Sequence, residues 1–221
     1  MINLSPRLAK IADFIEDKNL LDIGSDHCYL PCFLVASKGF KSKIYASENK
    51  EGPYLKMVET CKEEGLEDRI ILLKGDGLDV YREDIEEVVI TGMGGKTIAN
   101  ILLEGREHLI GVDKLVLEPQ SDYLYLRKTL LELGFKCIEE IYIKERSKFY
   151  PVMVLIKGED ELSKVELTYG KVALINNDEV LKEYLLKKKD ELEKVFNKIA
   201  SSRVKGDLEL IDRGLDYYGI K

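Results

Sequence analysis

A short segment near the start of the chain places carboxylates, a glycine and small polar residues between a strand-like run and a helix-like run. It follows Leu20-Leu21 and reads Asp22-Ile23-Gly24-Ser25-Asp26-His27-Cys28-Tyr29-Leu30-Pro31. A strand-to-helix turn of this kind presents backbone N–H groups and a helix N-terminus to a ligand. The segment is therefore a candidate ligand loop, although an ordinary polar turn would explain the same residues.

The loop departs from the pattern that binds dinucleotides. A G-x-G-x-x-G fingerprint started at Gly24 would need glycines where this chain has Asp26 and Tyr29. The carboxylate of Asp26 would repel a pyrophosphate and attract a cation. This favours a positively charged nucleoside, of which S-adenosyl-L-methionine (SAM), with its sulfonium and ammonium groups, is the common case.

Three further segments follow strand-like runs, at the edge where open α/β sheets bind ligands. Glu48-Asn49 follows the second run, and a carboxylate there can accept hydrogen bonds from both ribose hydroxyls. Gly75-Asp76-Gly77 follows the third and suits an adenine amino group, while Thr91-Gly92-Met93-Gly94-Gly95 ends the fourth and lets a ligand approach the backbone. A surface carboxylate or a tight turn explains each segment separately. Four such segments at successive strand ends favour one binding site.

Apolar runs alternate with amphipathic stretches, which predicts a mostly parallel sheet with helices on both faces. Two later strand-like runs, Cys137–Ile143 and Val152–Lys157, have no room for a helix between them and should pair antiparallel. This α/β architecture is the one expected of SAM-dependent methyltransferases, which are Rossmann-like. The predicted parallel strands are Leu20–Ile23, Lys43–Ser47, Ile70–Lys74, Val88–Thr91 and Lys114–Leu117, and the predicted helices are 6–16, Pro53–Glu64 and Asp122–Leu133.

The composition changes near residue 158, which predicts a domain over 1–158 and a helical appendage over 159–221. Apolar residues from Leu181 to Ile199 and from Leu208 to Tyr218 repeat in steps of three and four. Two such stretches predict an antiparallel, coiled-coil-like helical hairpin. The hairpin is too short to be stable alone, so we expect it to pack on the first domain or on a partner.

Composition excludes several classes of protein. No apolar run reaches the roughly 20 residues of a membrane span, and the first residues lack the features of a signal peptide, so we expect a cytoplasmic protein without membrane contact. The net charge of −7 argues against a surface that is basic throughout, but 34 Lys and Arg residues leave room for a local basic patch. Cys28, Cys32, Cys61 and Cys137 are scattered, which predicts reduced thiols and no metal site.

The motifs resemble one family across essentially the whole chain. The blocks D-I-G-S-D-H-x-Y-L-P, Glu48 with Gly52-Pro53-Tyr54, Gly75–Leu78 and Ile90–Gly95 are similar to the bacterial tRNA (adenine-22-N1)-methyltransferase family, TrmK. The start Ser5-x-Arg7-Leu8 and the C-terminal helices fit as well. After the fifth strand, family members usually carry Gln-Pro-Asn, where this chain has Glu118-Pro119-Gln120.

The resemblance implies SAM as methyl donor and N1 of adenosine 22, in the D-arm corner of tRNA, as acceptor. N1 has a free lone pair and needs no general base, so alignment and exclusion of water should supply most of the acceleration. We expect Asp26 to stabilise the positive charge that develops on adenine, with His27 and Tyr29 as positioning groups. A turn histidine bonded to backbone is the alternative for His27. The implied cofactor residues are Asp22, Gly24, Ser25, Glu48, Asn49, Asp76, Gly77, Gly92, Met93 and Gly94.

Other functions fit the residues less well. A methyltransferase of proteins or small molecules would keep the same cofactor residues, but ordinary exocyclic amine methylation is disfavoured because no Asn-Pro-Pro-aromatic sequence follows the fourth strand. A non-catalytic RNA-binding protein with a SAM fold would need a degenerate cofactor loop, whereas Glu48 and Asp76 are intact. Asp26 argues against an NAD oxidoreductase.

Overall fold

A seven-stranded sheet forms the centre of the protein in the computed structural model, which describes residues 2–199 and 201–220. The strand order is β3-β2-β1-β4-β5-β7-β6. The first five strands are parallel, β7 runs antiparallel to β5, and β6 runs antiparallel to β7. The predicted fold class is confirmed. The strands are β1 Leu20–Ile23, β2 Ile44–Glu48, β3 Ile70–Lys74, β4 Glu87–Met93, β5 Lys114–Pro119, β6 Phe135–Glu145 and β7 Lys148–Lys157.

Helices cover both faces of the sheet and form the C-terminal region. Two short 3₁₀ helices, Gly77–Val80 and His108–Gly111, lie in connections on either side of β4. The α-helices are α1 Pro6–Ala12, α2 Tyr29–Ala36, α3 Glu51–Glu63, α4 Gly95–Glu104, α5 Tyr123–Glu132, α6 Lys164–Tyr169, α7 Lys171–Ile175, α8 Glu179–Phe196 and α9 Ser202–Asp216.

The first helix is shorter than its apolar pattern predicts. Ser5 caps it by accepting a hydrogen bond from the amide of Leu8 at 3.3 Å, and Pro6 is its first residue. It ends at Ala12 rather than near residue 16. The carbonyl of Phe14 instead accepts a hydrogen bond from Lys114 Nζ at 2.5 Å, so a tertiary contact replaces the last helical turn.

The hairpin is longer than predicted and has a tighter turn. The predicted strands end at Ile143 and begin again at Val152, but β6 continues to Glu145 and β7 begins at Lys148. Arg146, with φ of +57°, and Ser147 form the turn. Polar side chains therefore alternate along a solvent-facing strand instead of marking a loop.

Alternating strand residues build a separate core on each face of the sheet. Leu21, Val88 and Ile90 belong to one cluster, whereas Leu20 and Val89 belong to the other. Successive side chains of a strand point to opposite faces, so both clusters come from the same short runs. Truncating a fully buried member such as Ile90 to alanine should cost about 2–5 kcal/mol.

The C-terminal helices pack on the sheet through β6. Tyr142 of β6 is buried among their apolar residues, and its hydroxyl donates to the carbonyl of Tyr169 at 2.9 Å. Buried Arg127 of α5 pairs with Glu140 at 2.6 Å and donates to the carbonyls of Leu167 and Thr168. Buried polar bonds therefore cross the predicted domain boundary near residue 158. The sequence reasoning did not identify α6 and α7, which carry these carbonyls.

Helices α8 and α9 lie side by side and antiparallel. Lys189 pairs with Asp212 at 2.6 Å, and a Cβ placed on Gly214 would come within 3.2 Å of Leu185. The contact partner of residue 185 is 214 and that of residue 189 is 212, so the residue numbers increase along α8 while they decrease along α9. The two helices therefore run in opposite directions. In the described part of the chain, no helix combines the length and apolar composition needed to cross a bilayer.

Candidate active site

Two adjoining cavities open at the carboxyl ends of the parallel strands. The larger has a volume of about 380 Å³ and the smaller about 230 Å³, and Gly24 and Met93 line both. Gly24 has a φ of +73°, a left-handed conformation that favours glycine, and a Cβ there would lie 2.1 Å from Met93 Cε, so the Met93 side chain would have to move. The other residues that line the larger cavity are Arg7, Leu8, Asp22, Ser25, Asp26, His27, Tyr29, Leu30, Thr91 and Gly92.

The smaller cavity collects the segments that follow β2 and β3. Its other lining residues are Ile23, Ser47, Glu48, Asn49, Gly75, Asp76, Gly77, Thr97 and Ile101. Every predicted site residue except Gly94 thus lines one or both cavities. Gly94 caps α4, and a Cβ there would come within 3.1 Å of Ser121 Oγ, so close packing of the next loop explains this glycine.

Asp22 is a buried carboxylate at the base of the larger cavity. Its Oδ2 accepts a hydrogen bond from Ser25 Oγ at 2.6 Å, and the amides of Gly24 and Ser25 both donate to the carbonyl of Ser47. Burial raises the pKa of Asp22 to about 6, against the bond from Ser25, which lowers it. A cationic ligand group in the cavity would offset the cost of ionising this carboxylate.

The loop between β1 and α2 presents two stacked rings next to a carboxylate. Asp26 and Cys28 have φ of +49° and +59°, which turns the backbone tightly on either side of His27. The rings of His27 and Tyr29 lie 5.0 Å apart with an interplanar angle of 9°. Asp26 Oδ2 lies 3.7 Å from His27 Nε2. The three residues predicted to act on the acceptor therefore lie together.

Glu48 and Asp76 are carboxylates at the ends of β2 and β3. One oxygen of Glu48, Oε1, accepts the amide of Asp26 at 3.0 Å, so Glu48 links the two cavities as well as lining one. The sequence predicted that the Glu48 carboxylate accepts from both ribose hydroxyls, and it did not indicate this bond to the backbone. Asp76 precedes Gly77, whose φ is +48° and where a Cβ would come within 3.1 Å of Ile101.

Arg7 and Glu118 are site residues that the sequence reasoning did not assign. Glu118 is fully buried, and its Oε2 accepts from Arg7 at 2.7 Å and from the amide of Gly92 at 2.8 Å. Burial raises the pKa of Glu118, while the charge of Arg7 opposes that shift. Arg7 also lies over the ring of Tyr150, 4.9 Å from its centroid. Glu118, which stands where family members usually have glutamine, therefore contacts the loop around Gly92 through its side chain.

Three of the four cysteines are scattered along the sequence but lie together in the structure. The sulfurs of Cys28, Cys32 and Cys61 lie within 4.8 Å of one another, and all three residues are buried. Contacts with Cys32 and Cys61, together with burial, raise the pKa of the Cys28 thiol. They lie in the apolar cluster beneath α2 and α3. The absence of a metal stays a prediction.

The residues present fit SAM. Carboxylates in the smaller cavity suit hydroxyl and amino donors, while Asp22 and Asp26 in the larger cavity suit cationic groups. The glycine at the boundary leaves the space that a side chain would fill. A charged nucleoside spanning both cavities would therefore meet complementary groups along its length.

Comparison with known proteins identifies the family of this chain. A sequence model of the family described as "TrmK: tRNA (adenine(22)-N(1))-methyltransferase" matches residues 20–217. The tRNA (adenine(22)-N(1))-methyltransferase of Bacillus subtilis (strain 168) is 35% identical over 160 residues, which are 72% of this chain and 67% of that protein.

Solved structures are similar over nearly the full chain. Streptococcus pneumoniae Sp1610 in complex with S-adenosyl-L-methionine gives a TM-score of 0.88 at 32% identity, covering 97% of this chain and 100% of that one. M. capricolum TrmK in complex with S-adenosyl-homocysteine gives 0.85 at 25% identity, covering 97% and 98%. Because the family model matches residues 20–217 and the Bacillus subtilis enzyme is 35% identical over 72% of the chain, this chain belongs to the TrmK tRNA (adenine(22)-N(1))-methyltransferase family.

Proposed function

We propose that this protein transfers the methyl group of SAM to N1 of adenosine 22 of tRNA. The observation that carries the proposal is that the predicted cofactor and acceptor residues line two cavities sharing Gly24 and Met93. SAM supplies a methyl group made electrophilic by the adjacent sulfonium. N1 of adenine attacks that carbon with its own lone pair while the bond from the methyl carbon to sulfur breaks. The neutral thioether S-adenosyl-homocysteine leaves and the positive charge passes to the adenine ring, so no residue has to remove a proton first.

On the donor side, we assign the nucleoside to the smaller cavity. Asp76 accepts from the adenine amino group, and Glu48 accepts from ribose hydroxyls through the oxygen not engaged by Asp26. Asn49 and Gly77 line the same space. Asp22, held by Ser25, offers negative charge to the cationic end of the ligand, while Gly24, Gly92 and Met93 shape the passage between the cavities.

On the acceptor side, the target adenine enters the larger cavity. N1 takes part in pairing inside an RNA helix, so the base has to leave its stack before it reacts. The stacked rings of His27 and Tyr29 offer a flat apolar surface that can hold such a base. Asp26 lies beside them, where a carboxylate stabilises the positive charge that develops on the ring.

We assign tRNA binding to the C-terminal helices. We place the domain boundary near residue 158 and the protein in the cytoplasm. Helix α8 carries five lysines that could contact phosphates, of which Lys182, Lys189 and Lys194 form ion pairs with Glu179, Asp212 and Asp190. Lys187 and Lys188 line a cleft beside the sheet, and Lys188 also pairs with Glu191. The proposed reaction assigns no role to a metal ion.

The reaction is tested by incubating the protein with SAM and an unmodified tRNA that carries adenosine 22, followed by mass spectrometry of the nucleosides. We expect one 1-methyladenosine per tRNA. A matched tRNA with guanosine at position 22 should gain none. Methylation of both tRNAs, or of neither, would contradict the assignment of the acceptor.

The role of Asp26 is tested by Asp26→Asn. If the carboxylate mainly stabilises the charged transition state, the single-turnover rate should fall about tenfold to hundredfold while SAM affinity stays within about twofold. Asp79→Asn, on the 3₁₀ helix beyond the smaller cavity, is the control and should change neither quantity. Equal losses of rate and affinity in Asp26→Asn would assign the residue to cofactor binding.

A further inference from the structure

A cleft of about 300 Å³ lies beside the larger cavity, between the tip of the β6–β7 hairpin, the middle of α8 and the loop after β5. Its size is at the lower end of the range for small-molecule sites. Methyl transfer as proposed above assigns it no role. Its walls are rich in aromatic rings, contributed by Tyr123, Phe149, Tyr150 and Tyr184.

The aromatic rings are held in place by the residues behind them. Tyr184 stacks on buried Tyr142 with centroids 6.1 Å apart and meets Phe149 at 5.4 Å with a tilt of 57°. Arg7 covers the ring of Tyr150 at 4.9 Å. Ordered ring faces bind a flat, unpaired base at little cost in side-chain entropy, and each stacked base contributes measurably to affinity.

The cleft is positively charged although the chain as a whole is acidic. Lys148, Lys187 and Lys188 line it together with one carboxylate, Glu191. Lys188 pairs with Glu191 at 3.2 Å, which leaves Lys148 and Lys187 as its uncompensated charges. Lys187 lies 5.6 Å from the centroid of Phe149, so positive charge and a ring face occur together. Rings with adjacent lysines suit a base and its phosphate.

The cleft shares a wall with the larger cavity. The amide of Gln120, which lines the cleft, donates to the carbonyl of Met93 at 2.8 Å, and Met93 lines the cavity. Arg7 lines the cavity and contacts Tyr150 of the cleft. When a base leaves its stack, the neighbouring nucleotide loses its stacking partner at the same time. The protein offers a second aromatic surface at the adjacent position.

We propose that this cleft binds a nucleotide flanking the target adenosine, with its base on the aromatic rings and its phosphate near Lys148 and Lys187. The inference rests on the proposed function and adds a second RNA subsite to it. That subsite would hold the strand open while adenosine 22 occupies the larger cavity. It is formed jointly by the hairpin and α8, so it also gives the C-terminal helices a defined place in RNA recognition.

The stacking part is tested by combining a protein change with an RNA change. Tyr184→Leu should weaken tRNA binding about fivefold to 150-fold, whereas Tyr184→Phe, which keeps the ring, should bind as wild type does. Two tRNAs are prepared, one with an abasic site on the 5′ side of adenosine 22 and one with it on the 3′ side. The tRNA that lacks the base bound in the cleft should lose a similar amount of affinity for the wild-type protein. On the correct side the two losses should not add, because both remove the same contact.

The charge part is tested by the salt dependence of tRNA affinity. Lys148→Ser combined with Lys187→Ser should flatten the log–log slope by about one to two units. The control pair, Lys182→Ser with Lys189→Ser, removes the same charge from α8 residues outside the cleft and should leave the slope near wild type. Unchanged SAM affinity in every variant shows that the sheet remains folded.

The results separate the two proposals. If wild type forms 1-methyladenosine at position 22, but Tyr184→Leu and the Lys148/Lys187 pair bind tRNA as the control pair does, the subsite is wrong and the reaction stands. If the losses of affinity caused by Tyr184→Leu and by the abasic site add for both abasic tRNAs, the stacking contact is also wrong. If wild type forms no 1-methyladenosine, the proposed function fails, and the subsite fails with it.

Discussion

Two buried carboxylates lie at opposite ends of neighbouring central strands and are used differently. Glu87 begins β4 and Glu118 lies near the end of β5, and both are fully buried. Each has a cationic partner: Lys114 lies 3.4 Å from Glu87, and Arg7 lies 2.7 Å from Glu118. The two carboxylates differ in the backbone amide that each accepts. Glu87 accepts the amide of Glu16 at 3.2 Å, whereas Glu118 accepts the amide of Gly92 in the cavity wall.

The N-terminal segment connects these two ends. Arg7 reaches the site end of the sheet, and nine residues later Glu16 reaches the opposite end, where its carboxylate pairs with Lys114 at 2.9 Å. Between them, Ile11, Ala12 and Ile15 are buried against one face of the sheet. The same type of buried ion pair therefore fixes the chain at one end and orders a ligand loop at the other.

The largest expected effect is on stability at the end away from the site. Lys114→Met removes the cationic partner of buried Glu87 and leaves the amide of Glu16 as its hydrogen-bond donor, so the free energy of unfolding should fall by about 3–5 kcal/mol. Urea unfolding measures the change, with exposed Lys128→Met as a control expected within about 0.5 kcal/mol. SAM affinity of the folded variant should remain unchanged. A loss below about 1 kcal/mol would show that this pair does not hold the segment.

The next effect is on cofactor binding at the site end. Asp76→Ala and Glu48→Ala each remove an acceptor from the smaller cavity, which should cost about 1.5–3 kcal/mol, or roughly tenfold to hundredfold in SAM affinity. Glu48 is the last residue of β2 and Asp76 follows β3, and neither side chain is buried, so the free energy of unfolding should change little. Calorimetric titration checks this, with Asp79→Ala as the neighbouring control. Unchanged affinity in both variants would remove them from the cofactor site.

Two substitutions of Glu118 distinguish whether its side chain acts as a hydrogen-bond acceptor or through its charge. Glu118→Gln keeps an acceptor for the amide of Gly92, so SAM affinity and methyl transfer should stay within about threefold of wild type. Glu118→Leu leaves that amide unpaired, at about 1–3 kcal/mol, and should reduce methyl transfer roughly fivefold to 150-fold. Single-turnover rates measured where both variants are folded decide the matter. If Gln and Leu behave alike, the bond to Gly92 does not order the loop.

The smallest effect is the pH dependence of stability. Burial raises the pKa of Asp22 to about 6 and that of Glu87 to about 7. The folded state thus holds these protons more tightly than the unfolded state, so stability falls as pH rises from about 4 to about 7. Asp22→Asn and Glu87→Gln should each reduce that fall, because an amide does not ionise as the pH rises.

The two variants should differ in SAM binding. Only Asp22→Asn is expected to weaken it, because Asp22 lines the larger cavity whereas Glu87 begins β4 at the opposite edge of the sheet. Thermal melting across the pH range, with and without SAM, measures both properties. A stability that is independent of pH in wild type would contradict the raised pKa values, and equal SAM affinity in both variants would contradict the assignment of Asp22.

The sequence by itself determined the strands, the sheet edge and most of the site. Each of four site residues lies within two positions of the end of a predicted strand, and parallel strands bring such positions to one edge of the sheet. They are Gly24, Glu48, Asp76 and Gly92. The order of the elements and the antiparallel hairpin follow from local periodicity and loop length. These features are short-range, so the printed residues suffice to predict them.

Only the tertiary structure decided which distant groups meet. Arg7 and Glu118 are 111 positions apart, yet together they fix the loop around Gly92, and neither has a local pattern that announces its partner. The convergence of Cys28 with Cys61 and the cleft between Tyr150 and Tyr184 have the same origin. Side-chain contacts between elements depend on how helices pack on the sheet, and that packing is set by the whole core rather than by any one segment.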